Sequence, residues 1–222
     1  LLSIPYLNLT DQVIFITDID KEKHLVFIKN KNGKMEATKN FLSEPRYNLT
    51  IQDCEIITIK KLNNNIDFNH LGAIIRSAQM VGAMEKIINL SIDYCSQRIQ
   101  FGRSLSKFQA IQHQIAEMAV ELAASNAALA SLNNFESIPK IEDIAILKIR
   151  TGIAAGKLIA VSHQVHGAMG FTKEYELAYF TKNLNSWRND FGSEAYWQEL
   201  LGKSFLEKSN LNLWEYLTNK SI

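Results

Sequence analysis

The period of the apolar residues changes at Asp67, and this change constrains the fold more than any other feature of the 222-residue chain. Before Asp67, β-branched and aromatic residues form short runs separated by polar or glycine-containing stretches, which is typical of strands. After Asp67, the apolar residues recur every three to four positions, which is the period of an amphipathic helix. The sequence therefore predicts a small β region, residues 1–65, followed by a helical domain, residues 66–222.

Three runs in the β region predict antiparallel strands. They are QVIFITDI (12–19), HLVFIKN (24–30) and CEIITIKKL (54–62). The dipeptide Asn32-Gly33 is a turn signal between two of them. Because a few short strands cannot close a good core alone, we expect residues 1–65 to be the C-terminal part of a larger β domain or to dock on the helices.

The helical domain shows three long apolar stripes and two shorter ones. They predict helices at about 67–97, 105–134, 140–166, 173–188 and 191–207. The first stripe consists of Leu71, Ile74, Ile75, Ala78, Val81, Ile88, Ile92 and Cys95. Long amphipathic helices joined by short connections form an up-down bundle. The predicted fold class is therefore mainly α, with a bundle that follows a short antiparallel β segment.

The composition limits the classes of partner and the cellular location. Lys and Arg number 24 against 23 Asp and Glu, a net charge of +1, so nothing attracts the chain generally to nucleic acid or anionic membranes. No apolar run reaches the ~20 residues that span a bilayer. Cys54 and Cys95 have neither metal-ligand nor disulfide spacing, so we expect reduced thiols and a cytoplasmic protein. The chain begins with Leu1 rather than Met, so we expect a fragment, a processed chain or an expression product.

The stretch RIQFGRSLSKFQAIQ (98–112) lies between the first two predicted helices. Arg98 carries a planar cation with five donors, and Gly102 permits a turn or the close approach of a ligand. Ser104 or Ser106 is expected to cap the second helix, whose N-terminal amides attract anions. Two interpretations stay open: a phosphate or pyrophosphate clamp, and a helix corner where Arg98 caps a neighbouring helix.

Two later stretches also offer candidate site residues. In QVHGAMGFTKEY (164–175), the glycines form a helix stop or allow close approach to a flat ligand. His166 is a ligand, an acid–base group, a helix-end cap or a core-edge residue. In SWRNDFGSEAYWQELLG (186–202), Asp190 and Glu194 are either candidate bases or ordinary carboxylates at a helix start. The aromatic residues of this stretch form a stacking surface or part of the core; they are Trp187, Phe191, Tyr196 and Trp197.

These stretches resemble the acyl-CoA dehydrogenases. YCSQRIQFGRSLSKFQAIQH (94–113) is similar to the family consensus Y-x-x-x-R-x-Q-F-G-x-x-L-x-x-F-Q-A-I-Q-H. QVHGAMGFTKEY resembles Q-x-x-G-G-x-G-(F/Y)-T-x-E-(Y/F), with Ala168 in place of the second Gly. The resemblance implies the end of the family's middle β domain and its whole C-terminal four-helix bundle. It also implies that the N-terminal helical domain and the first part of the β domain are missing.

The resemblance implies FAD as the cofactor, held on its pyrophosphate and adenine side across a subunit interface. The residues that match the family's FAD contacts are Arg98, Gln100, Phe101, Gly102, Leu105, Phe108, Gln109, Gln164, Gly167 and Ala168. Family members are usually tetramers, built as a dimer of dimers. We therefore expect a homo- or hetero-oligomer, with a partner subunit as one source of the missing N-terminal half.

The family removes the α-proton of an acyl-CoA thioester with a Glu, while a hydride leaves the β-carbon for the flavin. The resemblance puts the two known positions of this Glu at Phe191 and Gly72, neither of which is a carboxylate. The family's R-D pair is Lys182-Asn183 here. Four hypotheses stay open: a displaced base at Asp190 or Glu194, a base-lacking subunit of a two-gene dehydrogenase, an oxidase or monooxygenase relative, and a helical assembly module without FAD.

Overall fold

The computed structural model describes residues 4–29, 33–38, 44–52, 54–62, 67–132 and 139–207, together with Trp214. The chain divides into two compact units, Leu1–Phe68 and Asn69–Ile222. Each unit has a hydrophobic core of its own.

The first unit contains two three-stranded antiparallel sheets, with strand orders β1-β5-β4 and β2-β3-β6. The strands are β1 Ile4–Pro5, β2 Gln12–Ile19, β3 Glu22–Lys29, β4 Lys34–Ala37, β5 Arg46–Thr50 and β6 Glu55–Lys61. The three strands predicted from the sequence are confirmed as β2, β3 and β6. The core between the sheets consists of Leu7, Val13, Val26, Ile28 and Leu49.

The turn between β2 and β3 was not visible in the sequence pattern. Asp20 and Lys21 both have positive φ, 53° and 68°, as a two-residue hairpin turn of the primed type requires. Neither residue is Gly or Asn, so the usual signal is absent. The turn signal that the sequence does show, Asn32-Gly33, lies partly outside the described residues, because Asn32 is not among them.

The second unit is an up-down helical bundle, and the mainly α fold class is confirmed. Its helices are α1 Phe68–Gln97, α2 Gln109–Ala130, α3 Ile141–His166, α4 Leu177–Trp187 and α5 Glu194–Glu207. Buried side chains of α1, α2, α3 and α4 form one core cluster, and a second cluster surrounds the fully buried Trp197 of α5. Within the described part of the chain, none of the helices has the length and apolar character needed to cross a bilayer.

The start of α2 corrects one sequence-based expectation. A short 3-10 turn occupies Leu105–Lys107, and Phe108 then has extended backbone angles and forms the N-cap of α2. The hydroxyls of Ser104 and Ser106 lie 2.9 Å apart and hydrogen-bond to each other. The expectation that one of these serines caps α2 is therefore wrong, because Ser104 precedes the 3-10 turn, Ser106 lies within it, and Phe108 takes the N-cap position.

The buried face of α1 differs from the apolar stripe read off the sequence. Ile75 and Ile92 are exposed, whereas Arg76, Ser77 and Ser91 are buried. A count of apolar letters passes over these polar residues, and the predicted face is rotated as a result. Ser91 can be buried because its hydroxyl donates to the carbonyl of Ile87, one turn earlier, at 2.8 Å, so that this donor is paired.

Candidate functional site

A tight hairpin follows α1 and carries several of the site residues predicted from the sequence. Strands β7 (Ile99–Gln100) and β8 (Arg103–Ser104) pair across a two-residue turn. Phe101 and Gly102 in this turn have φ of 53° and 78°, and the glycine meets that requirement without strain. The Phe101 side chain is 90% exposed. The 98–104 hairpin therefore presents an uncovered aromatic ring.

Arg98 lies at the base of this hairpin with an exposed side chain. Its backbone N–H donates to the carbonyl of Tyr94 at 2.9 Å and so extends the hydrogen bonding of α1. The Gln100 amide faces the guanidinium; with its oxygen on that side, it accepts from Nη2 at 2.8 Å and from Nε at 3.3 Å. This bond orients the guanidinium and leaves its remaining N–H groups for an anion.

The aromatic residues of the hairpin region form a small stack with an arginine. The guanidinium carbon of Arg103 lies 4.1 Å from the centre of the Phe108 ring, a cation–π geometry. Phe101 meets Phe108 edge to face, with ring centres 6.2 Å apart. Leu105 is half-buried, and Gln109 is exposed at the first position of α2. Sequence reasoning missed Arg103, because only the fold of the hairpin brings it over Phe108.

The second predicted segment, residues 164–168, lies where α3 ends. Gln164, Gly167 and Ala168 are exposed, and Gly167 ends the helix with φ of 57°. A Cβ built on Gly167 would meet no atom of the described residues within 4 Å. Gly170 differs, because a Cβ there would lie 3.0 Å from Cδ2 of Leu177. Gly170 thus serves packing, whereas the space beside Gly167 is open.

A stacked tyrosine and histidine bring the two segments to the same end of the bundle. The ring of Tyr94, one turn before Arg98, stacks on His166 with centres 4.5 Å apart. His166 is 2% exposed and immediately precedes Gly167. Burial lowers the pKa of His166. The structure therefore makes His166 a packed residue beneath the two segments rather than an exposed acid–base group.

The two positions at which the family carries its base are neighbours in space. The Phe191 ring fills the volume beside Gly72, so that a Cβ on Gly72 would lie only 2.6 Å from Cζ of that ring. Phe191 itself has φ of 57°, and Trp197 fixes its backbone by donating from Nε1 to the Phe191 carbonyl at 3.0 Å. One apolar ring thus fills the space at both positions to which the resemblance assigns the family's base.

The two acidic residues near Phe191 are paired with arginines. Nε of Arg76 lies 3.1 Å from Oδ2 of Asp190, and both side chains are largely buried. Nε of Arg188 donates to Oε1 of Glu194 at 2.6 Å. The Arg76 guanidinium also lies 5.1 Å from the centre of the Trp187 ring. These contacts hold both carboxylates as ion-pair partners at the turn between α4 and α5.

Lys148 completes this charged cluster and was missed in the sequence, where it stands among apolar residues of α3. It is 1% exposed, and its ammonium donates to the carbonyls of Trp187 at 3.1 Å and Arg188 at 2.9 Å. These carbonyls end α4, so Lys148 caps that helix. Burial lowers the pKa of Lys148 to about 8, while the charges of Glu194 and Asp190 oppose this shift.

We expect the Lys148 contribution to the unfolding free energy to rise between about pH 8 and pH 10.5. In this window the unfolded chain still binds the proton that folded Lys148 has lost, so stability increases with pH by up to about 1.4 kcal/mol per unit. Urea unfolding of the wild type and Lys148→Met across this range measures the difference. Equal slopes for the two proteins would contradict the prediction.

Comparison with known proteins assigns the helical part of the chain to a family. Residues 68–205 match the family model described as "Acyl-CoA dehydrogenase, C-terminal domain". Acyl-CoA dehydrogenase IpdE2 of Mycobacterium tuberculosis is 30% identical over 113 residues, which cover 51% of this chain and 35% of that protein. The chain thus spans about a third of the length of this relative.

Solved structures support the same fold. The glutaryl-coenzyme A dehydrogenase glutaryl-CoA complex superposes with a TM-score of 0.80 at 22% identity, over 93% of this chain and 57% of that one. A chain of the ChsE4-ChsE5 complex from Mycobacterium tuberculosis gives a TM-score of 0.78 at 15% identity, over 93% and 58%. At these identities the likeness shows the fold alone. Together with the family match, it shows that this chain belongs to the acyl-CoA dehydrogenase family and contains its C-terminal helical domain.

Proposed function

We propose that the chain contributes one side of an FAD site in an acyl-CoA dehydrogenase-type flavoprotein. Members of this family are flavoproteins. The observation that carries the proposal is the Tyr94–His166 stack, 4.5 Å between ring centres, which brings the 98–104 hairpin and the 164–168 segment to one end of the bundle. The two segments that carry the matching motifs thus lie near each other in space, although α2 and α3 separate them in the sequence.

The exposed groups of the two segments fit the phosphate and adenine side of FAD. The Arg98 guanidinium is oriented by Gln100 and suits a pyrophosphate, which it binds through charge-assisted hydrogen bonds. The uncovered Phe101 ring offers a stacking face, and Gly102 and Gly167 leave open space where side chains would stand. Bound FAD would supply the hydride acceptor. The rest of its site, and the acyl-CoA pocket, would come from other parts of the whole protein or from a partner.

Replacement of Arg98 tests the FAD proposal. We expect Arg98→Ala to weaken FAD binding by about 1.5–3 kcal/mol, roughly 10- to 150-fold, because a charge-assisted hydrogen bond to the pyrophosphate is lost. Quenching of flavin fluorescence measures the affinity of the chain, alone and with the portion or partner that completes the site. Lys107→Ala removes a nearby exposed cation and should change the affinity less than about threefold. Equal affinity of Arg98→Ala and wild type would refute the assigned contact.

We further propose that this chain supplies no base for removal of an α-proton. Phe191 and Gly72 occupy the two positions to which the resemblance assigns the base, and the Phe191 ring fills the space where a Gly72 side chain would stand. Asp190 and Glu194 are paired with arginines. This arrangement favours the base-lacking subunit over a displaced base. A two-chain assembly, as in the ChsE4-ChsE5 complex named above, would let a partner provide the carboxylate for an acyl-CoA substrate.

We propose that the outer face of α2 forms a contact between subunits. α2 packs against α3, and much of its other side is an exposed stripe of small apolar residues: Ala116, Ala119, Val120, Ala123 and Ala127. Val120 is 67% exposed. Small side chains let two helices approach closely and bury a continuous face, and exposed apolar faces of this kind mark interfaces.

A charge on this face should dissociate the assembly. We expect sedimentation of the wild type to show a species larger than the 25.2 kDa monomer. The protein is measured at roughly tens of micromolar, well above the Kd of specific interfaces. Val120→Glu should shift it to the monomer without loss of helix content, because the charge would be buried unpaired at the contact. Leu206→Glu changes another exposed apolar residue, on α5, and should leave the mass unchanged. A wild-type monomer would refute the contact.

A further inference from the structure

Three rings meet beneath the two candidate FAD segments. Tyr94 of α1, His166 at the end of α3 and Tyr175 after the following turn form this ring cluster. The centres of His166 and Tyr94 are 4.5 Å apart, those of His166 and Tyr175 are 5.2 Å apart, and those of the two tyrosines are 6.3 Å apart. His166 lies in the middle and is nearly inaccessible to solvent.

Directed hydrogen bonds accompany the stacking. Nδ1 of His166 lies 2.8 Å from the carbonyl oxygen of Ser162 and donates to it. In that neutral tautomer Nε2 carries a lone pair, which faces the Tyr175 hydroxyl at 3.2 Å and accepts from it. The same hydroxyl lies 3.4 Å from the carbonyl of Leu90 on α1. Since the hydroxyl has a single hydrogen, the Leu90 carbonyl is an alternative acceptor to Nε2. The ring cluster thus ties the segment after the turn to α3 by hydrogen bonds and to α1 by the packing of Tyr94.

The ring cluster has a fixed relation to both segments. Arg98 is one helical turn beyond Tyr94 and is joined to it by a backbone hydrogen bond of 2.9 Å. Gly167 follows His166 directly, and the 3-10 turn Gly167–Phe171 leads back to Tyr175. The contact of Tyr175 with His166 therefore closes this turn at its base.

We infer that the ring cluster is a positioning element, which holds the 98–104 hairpin and the 164–168 segment in one orientation so that both bind a single dinucleotide. The inference rests on the proposed FAD site for its ligand. A purely apolar packing role would need only the rings. The polar bonds of the Tyr175 hydroxyl and of both His166 nitrogens are what a directional role requires, because hydrogen bonds fix angles that stacking alone leaves free.

The first test measures positioning directly, without a ligand. In a Cys54→Ser/Cys95→Ala background, Ile99→Cys and Lys173→Cys, both at exposed positions, accept spin labels on the two sides of the cluster. Pulsed electron paramagnetic resonance then gives the distribution of distances between them. We expect Tyr175→Phe, which removes only the hydroxyl, to broaden this distribution about twofold. The matched control Tyr196→Phe removes a hydroxyl from an exposed tyrosine of α5 and should leave the width unchanged.

The second test measures affinity for FAD at a temperature where circular dichroism shows every variant folded. We expect Tyr175→Phe to weaken FAD binding about three- to tenfold, the effect of one ordinary hydrogen bond. His166→Phe keeps a ring but loses both polar bonds, and should weaken binding at least as much. Tyr196→Phe should bind FAD within about twofold of wild type.

The outcomes separate the positioning role from the FAD site. An unchanged distance distribution in Tyr175→Phe overturns the inference, whatever happens to affinity, since lower affinity alone would mean that Tyr175 contacts the ligand itself. A broadened distribution with unchanged affinity also overturns it. A broadened distribution in a protein whose wild type binds no FAD, alone or completed, supports the positioning role and refutes the proposed FAD site instead.

Discussion

Phe191→Glu is expected to create flavin reduction by acyl-CoA that the wild type lacks, in an assembly that binds both FAD and acyl-CoA. The α-proton of a thioester is weakly acidic, so its removal needs a carboxylate within about 3 Å of it. The new side chain would start from the position at which the resemblance puts the family's Glu. General base catalysis typically contributes a factor of about 10²–10⁴. Bleaching of the flavin absorbance after addition of acyl-CoA should therefore accelerate at least about a hundredfold.

The contact between Phe191 and Gly72 supplies a matched pair of controls. Gly72→Glu puts a carboxylate at the other family position, but its Cβ would lie 2.6 Å from Cζ of the Phe191 ring. We therefore expect Gly72→Glu alone to destabilise the bundle and to bleach little. Gly72→Glu with Phe191→Ala removes the obstructing ring and should bleach faster than the single variant. Slow bleaching in every one of these variants, with FAD and acyl-CoA bound, would mean that more than the base is missing.

The parts of the fold that were predicted from the sequence are those that local periodicity determines. Strands β2, β3 and β6 and helices α1 and α3 begin and end within about two residues of the positions predicted from the pattern. The start of α2 was wrong because a 3-10 turn is too short to leave a period of its own. The predicted buried face of α1 was wrong because the hydroxyls of Ser77 and Ser91 form hydrogen bonds inside the helix bundle. A pattern of apolar residues does not reveal such bonds.

The residues of the candidate site were also predicted only in part from the sequence. The family motif marked Arg98, Phe101 and Gly167, all of which the structure leaves exposed. The charged cluster escaped notice because its members come from α1, α3 and the turn before α5, and sequence spacing carries no sign that they meet. Their sole local signal is Lys148, a charge among the apolar residues of α3. Arg76 lies outside the apolar stripe predicted for α1, although both side chains are buried. Such charges are buried only with partners: Arg76 with the carboxylate of Asp190, and Lys148 with the carbonyls that end α4.

Asp190→Asn is expected to lower the unfolding free energy by about 3 kcal/mol. The change leaves the buried guanidinium of Arg76 without its charged partner, and breaking a buried pair costs about 3–5 kcal/mol. We expect the lower end of this range because Asn keeps the shape of the Asp side chain and one of its acceptor oxygens. Glu199→Gln makes the same chemical change in the exposed pair with Lys203 and should cost less than about 1 kcal/mol. Urea unfolding at pH 7 measures both.

Arg76→Met separates this structural role from a catalytic one. If Asp190 serves only as an ion-pair partner, Arg76→Met should destabilise the bundle about as much as Asp190→Asn. The double variant should cost less than the sum of the two single variants, because it leaves no buried charge unpaired. If Asp190 is instead a displaced base, we expect a different set of results. The unmodified assembly would already bleach its flavin with acyl-CoA, Asp190→Asn would abolish bleaching while Arg76→Met retained it, and the base-lacking proposal would then be wrong.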